Sequence, residues 1–247
     1  MKKTYFLLIL ILFGCTKQES SLTIAAAANM QFAMEALAEA YAEESGTKIE
    51  VILGSSGKLT AQIQQGAPYD LFFSADLKYP NALLESGNTN EDPVIYAQGI
   101  LVLWSMKYNM PVALEQISSN EVKHIALANP KTAPYGIAAE EVLKNMGLYA
   151  ELEERLVFGE SISQVNQFVT SEAAEMGFTA QSVVVSPSML EQGNWIDIPD
   201  SLYSPIQQAA VILKNDRGQG KEAKAFVDFV LSEKGQVILN KFGYKTQ

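Results

Sequence analysis

The chain has 247 residues, 48% of them hydrophobic and 19% charged, and a formal net charge of −10. This is the balance of a folded globular protein, long enough for one large domain or two lobes of roughly 100 residues each. With no basic cluster beyond the N-terminus, the charge argues against nucleic acid and against an electrostatically held membrane surface. One cysteine, Cys15, excludes an intramolecular disulfide.

The first elements are export signals. Met1-Lys2-Lys3 is a positive n-region, and residues 5–13 form an apolar run too short for a permanent membrane span. The run closes on "LFGC", which resembles a bacterial lipobox. Cleavage there removes residues 1–14 and leaves Cys15 as a lipidated N-terminus, with 15–21 as a polar tether. An ordinary signal peptide cut elsewhere is the other reading.

The folded part starts with "LTIAAA", a short buried strand over 22–27. Met30, Ala33, Met34, Leu37, Ala38 and Tyr41 then mark one face of a helix, with Glu35, Glu39, Glu43 and Glu44 on the others and Gly46 at its end. A strand over 48–53, the turn Ser55-Ser56-Gly57 and a short helix carrying Leu59 and Ile63 follow. "YDLFFSAD" is a continuous apolar run between acids, as suits a strand buried on both faces. The alternation is that of a parallel α/β sheet.

A second alternating set starts near Gly99. It comprises "GILVLWS", "KHIALANP", a helix over 137–146, a strand around Val157, a helix over 165–172 and "MGFTAQSVVV". "IQQAAVILK" reads as a strand returning to the first set, and the rest is helical. "DPVIYAQG" and "SLYSPIQQ" are the expected crossovers. The expected fold is therefore α/β with two lobes, one discontinuous over 22–96 plus 206–247 and the other over 97–205, and a ligand cleft between them.

Catalytic chemistry has little to work with. The single histidine, His124, begins an apolar strand and reads as structural. Without a second histidine or a usable cysteine, nucleophilic triads and multi-histidine zinc sites lack their groups. No phosphate loop, dinucleotide fingerprint or HExxH motif occurs. Asp70 and Asp76 read as strand-end and turn residues.

What recurs is a strand end, small or polar residues and a helix start: Ala27-Ala28-Asn29, Ser55-Ser56-Gly57, Pro134-Tyr135-Gly136 and Glu160-Ser161-Ile162. Helix starts carry unsatisfied N–H groups and the positive end of the macrodipole. In a doubly wound sheet they gather at the carboxyl ends of the strands, where ligands bind. Four converging starts would hold an anion without a full positive charge. Each serine or asparagine is also a good local N-cap, and spacing alone does not choose between the two roles.

"AAAANMQFAMEALAEAY", "GSSGKLTAQIQQGAPYDLFFSAD", "NPKTAPYGIAAEEVLKNMG" and "EAKAFVDFVLSEKGQVILNKFGY" resemble, in order from about Leu22 to Tyr244, the periplasmic molybdate-binding proteins of bacterial ABC importers. The resemblance implies a type II periplasmic-binding-protein fold and a monomeric, exported, membrane-anchored receptor without enzymatic activity or cofactor. It implies molybdate or tungstate as ligand, the metal bound as an oxyanion without direct protein ligands, and an ABC permease as partner.

Carried over by position, Ser56 contacts the oxyanion through hydroxyl and amide, and Tyr135 and Ile162 donate backbone N–H groups. Asn29 stands where the family commonly has serine and can donate through its amide. Ala28 and Ser55 share those two turns. The family's tyrosine donor falls on Ala180, which has none, so Gln181, another group or a water replaces it, or the site has one bond fewer. A donor-only site suits a fully ionised dianion, since hydrogen phosphate needs an acceptor for its proton. Another tetrahedral oxyanion such as sulfate, or an enzyme on the same two-lobed fold, are the alternatives.

Overall fold

The computed structural model describes residues 21–215 and 217–246. The expected signal peptide, the lipobox with Cys15 and the tether up to residue 20 lie outside them. Among the described residues no helix is long and apolar enough to cross a membrane.

Two five-stranded sheets share one topology. In the first, β1 (Ser21–Ala27), β2 (Lys48–Gly54) and β3 (Leu71–Ser74) run parallel. β10 (Ile206–Ile212) is antiparallel to β3, and β4 (Val94–Gly99) antiparallel to β10, giving the order β2-β1-β3-β10-β4. The second repeats this with β5 (Leu101–Ser105), β6 (Ile125–Ala128), β7 (Leu156–Gly159), β8 (Met176–Ala180) and β9 (Asn194–Asp197), ordered β7-β6-β8-β5-β9. In each sheet the reversed strand, β10 or β5, is the one by which the chain enters from the other sheet. Both sheets are thus mixed but mostly parallel.

Helices cover the faces. α1 (Gln31–Ser45), α8 (Gly220–Leu231) and α9 (Glu233–Lys241) pack on one side of the first sheet, where Leu22, Ile24, Leu71 and Phe73 meet Met34, Leu37, Phe226 and Leu239. α2 (Ser56–Gln64) and α3 (Lys78–Glu85) pack on the other, where Ala25 and Phe72 meet Leu59, Ile63 and Leu83. Alternate residues of one strand therefore feed opposite cores, which is why the Leu71-Phe72-Phe73 centre of "YDLFFSAD" is apolar without alternation. α4 (Pro134–Asn145), α5 (Tyr149–Leu152), α6 (Ile162–Thr170) and α7 (Gln181–Val184) flank the second sheet.

α1 ends where expected, at Gly46, whose φ of 73° lets its N–H close on the Ala42 carbonyl. α4 begins three residues before the expected start, because proline is well suited to a first helical position that needs no N–H. α3 and β9 were not anticipated. "MGFTAQSVVV" is not one element: it is β8 followed at once by α7.

Candidate functional site

β1, β2, β6 and β7 all point their carboxyl ends at the junction of the two sheets, and each is followed by a helix start there. A single 3-10 turn, Ala28–Met30, leads from β1 into α1, and α2, α4 and α6 follow β2, β6 and β7. These starts enclose a small cavity of ≈ 10 Å³ lined by Ala27, Ala28, Asn29, Gly54, Ser55, Ser56, Ala75, Ala133, Pro134, Tyr135 and Ile162. That is below the roughly 300–1,000 Å³ of pockets that hold organic ligands. It leaves no room for an organic ligand, only for a species of very few heavy atoms. Every lining residue is uncharged at neutral pH.

Ser56, Tyr135 and Ile162 stand in the first turns of α2, α4 and α6, where helix geometry supplies no intrahelical acceptor for the N–H. None of the four starts is closed by a side chain. Ala27, Ser55, Ala133 and Ser161 occupy the capping positions, and none makes a side-chain cap bond, although the two serines could. Ser55 is only 4% exposed, and its Oγ lacks any hydrogen-bond partner. Ser56 Oγ accepts from the Ala75 N–H at 3.1 Å, leaving its own proton to donate.

The cavity therefore gathers Ala28, Asn29, Ser55, Ser56, Tyr135 and Ile162, from four separated stretches of sequence. Asn29 lines it with its side chain already engaged. Both Nδ2 hydrogens are used, on Gln208 Oε1 at 2.9 Å and on Tyr244 Oη at 3.0 Å. Its carbonyl accepts from Ser182 Oγ at 2.7 Å and from Tyr244 Oη at 3.0 Å.

Ala180 and Gln181 are not among the lining residues. Ala180 is fully buried in β8 opposite Leu101, and Gln181 Nε2 turns outward to Asp197 Oδ1 at 2.7 Å. Tyr244, at the end of the chain, brings its hydroxyl to Asn29 instead. Burial pushes the hydroxyls of Tyr96, Tyr135 and Tyr244 above their ordinary range, so all three stay neutral at physiological pH.

The two sides also touch directly. The Gly57 N–H donates to the Thr132 carbonyl at 2.9 Å, and Tyr79 Oη to the Lys131 carbonyl at 3.3 Å. A Cβ on Gly57 would lie 2.7 Å from Tyr79 Oη and 3.0 Å from the Thr132 backbone, so glycine is what permits this approach. Lys58 and Glu160 pair outside the rim.

The groups read as structural sit elsewhere. His124 is 54% exposed beside Glu175, Asp70 accepts from the Thr23 N–H, and Asp76 from the Tyr79 N–H. A wider groove along α4, lined by Lys131, Glu140, Lys144 and Tyr149, carries both charge signs and no unpartnered buried polar atom. Sequence reasoning missed the small residues of the wall, Gly54, Ala75 and Ala133, and the network behind Asn29. The visible signal for the latter was a glutamine pair inside the apolar strand "IQQAAVILK".

Two mixed sheets of matching topology, meeting at a small cavity of helix starts, define a two-lobed solute-binding protein. The model of the bacterial extracellular solute-binding proteins matches residues 22–245, and the chain belongs to that family. It is 37% identical over 241 residues to the molybdate-binding protein ModA of Azotobacter vinelandii, covering 96% of this chain and 94% of that protein. To ModA of Rhodobacter capsulatus it is 37% identical over 224 residues, covering 90% and 87%. The solved periplasmic molybdate-binding protein of Azotobacter vinelandii superposes with a TM-score of 0.87 at 35% identity, over 92% of this chain and 99% of that one.

Proposed function

We propose that the protein is the non-enzymatic, extracytoplasmic receptor of an ABC importer and that it captures molybdate or tungstate. The observation that carries this reading is the buried Ser55 hydroxyl, uncapping and unpartnered on the wall of a small uncharged cavity. A buried hydroxyl left unpaired costs about 1–3 kcal/mol, and an oxyanion accepting from it removes that cost. Ser56, Tyr135 and Ile162 add donors from both sides, with Asn29 and Ala28 completing the wall. The metal would be held through its oxygens alone. Its relatives named for molybdate make this dianion the first choice among those of its shape.

Donors without acceptors favour a fully ionised dianion over hydrogen phosphate, whose proton would meet no carboxylate on the wall. Ligand contacts from both lobes stabilise the closed form relative to an open one, and that difference is what a permease would read. The reading includes export as a monomer anchored through a lipid on Cys15. It also includes the division into lobes over 22–96 plus 206–247 and 97–205.

Calorimetric titration of the chain from Thr16 onward with molybdate, tungstate, sulfate and phosphate tests the ligand. Tight binding of the first two alone is the expected result. Binding of sulfate in their place would transfer the role to another oxyanion, and silence toward all four would end the oxyanion reading.

A further inference from the structure

Gln208 lies on β10 with no exposed surface and does not line the cavity. Its amide nevertheless bonds to cavity residues of both sides. Oε1 accepts from Asn29 Nδ2 at 2.9 Å, and Nε2 donates to Tyr135 Oη at 3.2 Å. Asn29 follows β1 in the first sheet and Tyr135 follows β6 in the second. Among the described residues no other side chain makes hydrogen bonds to wall residues from both sheets.

The surrounding backbone is built around this amide. The register of β10 against β4 shifts between Gln208, opposite Ala97, and Ala209, opposite Ile95. Tyr96 is thereby the extra residue of a β-bulge, the device by which a strand re-aims a side chain. Its hydroxyl reaches Gln208 Oε1 at 2.8 Å. Beside it, Gly99 leaves the room that the pair needs: a Cβ there would lie 2.1 Å from Tyr135 Oη and 2.4 Å from Gln208 Nε2. A glutamine serving only to satisfy a buried strand would need neither the bulge nor the gap.

We propose that Gln208 is a positioning residue for the anion site. One amide, fixed to a crossover strand, sets how far apart the Asn29 and Tyr135 starts stand when the cavity is formed. It touches no ligand and acts through the two side chains that it holds. Opening the lobes must break the Gln208–Tyr135 bond or carry Tyr135 away from Asn29, so the amide couples closure to the spacing of donors. This inference rests on the oxyanion reading of the cavity.

The test is a double-mutant cycle on molybdate affinity with Gln208→Met and Tyr135→Phe, the latter keeping the backbone N–H that faces the cavity. Each single change is expected to weaken binding roughly tenfold, as loss of an orienting partner behind a ligand does. Together they should weaken it no further than the stronger one alone, because both remove the same link. Gly99→Ala, which forces the pair apart from outside, should reproduce the loss.

Losses that multiply in the double variant, or a Gln208→Met protein that binds as the parent does, would overturn the proposal and leave the oxyanion reading intact. A parent that binds no oxyanion would overturn both. Should Gln208→Met fail to fold, Tyr135→Phe decides alone: parental affinity there contradicts the linkage.

Discussion

Two serines in this molecule hold the same position at the start of a nine-residue helix and do opposite things. Ser232, ahead of α9, turns its hydroxyl onto its own chain, accepting from the Gly235 N–H at 3.3 Å and donating to the Phe229 carbonyl at 2.6 Å. Ser55, ahead of α2, makes no cap bond and stays buried without a partner. The first helix end is complete by itself. The second is complete only when something else supplies an acceptor, and the difference separates a stabilising cap from half of a binding site.

The contrast can be broken most severely at the closed junction. Gly57→Ala places a methyl against the Thr132 backbone, where a rigid neighbour cannot yield. Overpacking of this kind costs about 1–3 kcal/mol, and here it falls on closure. Molybdate affinity should drop by up to about a hundredfold, with melting of the ligand-free protein little changed. Titration beside calorimetric melting checks both.

The serine pair sharpens the comparison next. Ser55→Ala should weaken oxyanion binding about tenfold while leaving thermal stability equal or raised, since an unsatisfied buried group is removed. Ser232→Ala should do the reverse, losing about 1 kcal/mol of stability with unchanged affinity. Equal effects of the two changes on melting would erase the distinction.

The smallest effect is on pH. Burial raises the hydroxyls of Tyr96, Tyr135 and Tyr244 above the unfolded value of about 10. The neutral form is favoured by folding, so this stability is complete below about pH 10 and is lost as pH rises beyond it toward the folded values. Urea midpoints should therefore hold from pH 7 to 9 and fall above 10. Tyr135→Phe should make that fall shallower by about 1.4 kcal/mol per pH unit; an unchanged slope would mean that Tyr135 is not shielded as its burial requires.

Much of this was legible in the residues. The 3.6-residue spacing from Met30 to Tyr41 fixes a buried helix face, and "YDLFFSAD" announces a strand between two cores. The helix starts were legible as a pattern because small and polar residues follow each strand end. Their convergence was not, since it depends on sheets placed by residues far away in the chain.

α3 escaped because "KYPNALLE" is eight residues long with a proline inside, and β9 because "NWID" is a half-exposed edge strand without an apolar run. A serine at a helix start carries no mark of whether its hydroxyl will close inward or stay open. Asn29 reads as a free donor until Gln208 and Tyr244 are brought beside it. Ala180 and Gln181 follow the order of a family motif, whereas in the fold one is sealed in β8 and the other faces Asp197.

The most direct measurement is a paired titration of the parent and Ser55→Ala with molybdate, with melting followed in the same samples. The expected result is tight binding by the parent and about tenfold weaker binding by the variant, whose melting temperature is no lower. A variant that binds as well as the parent, or one that melts earlier while keeping its affinity, would show that Ser55 is an ordinary structural residue and would contradict the oxyanion site.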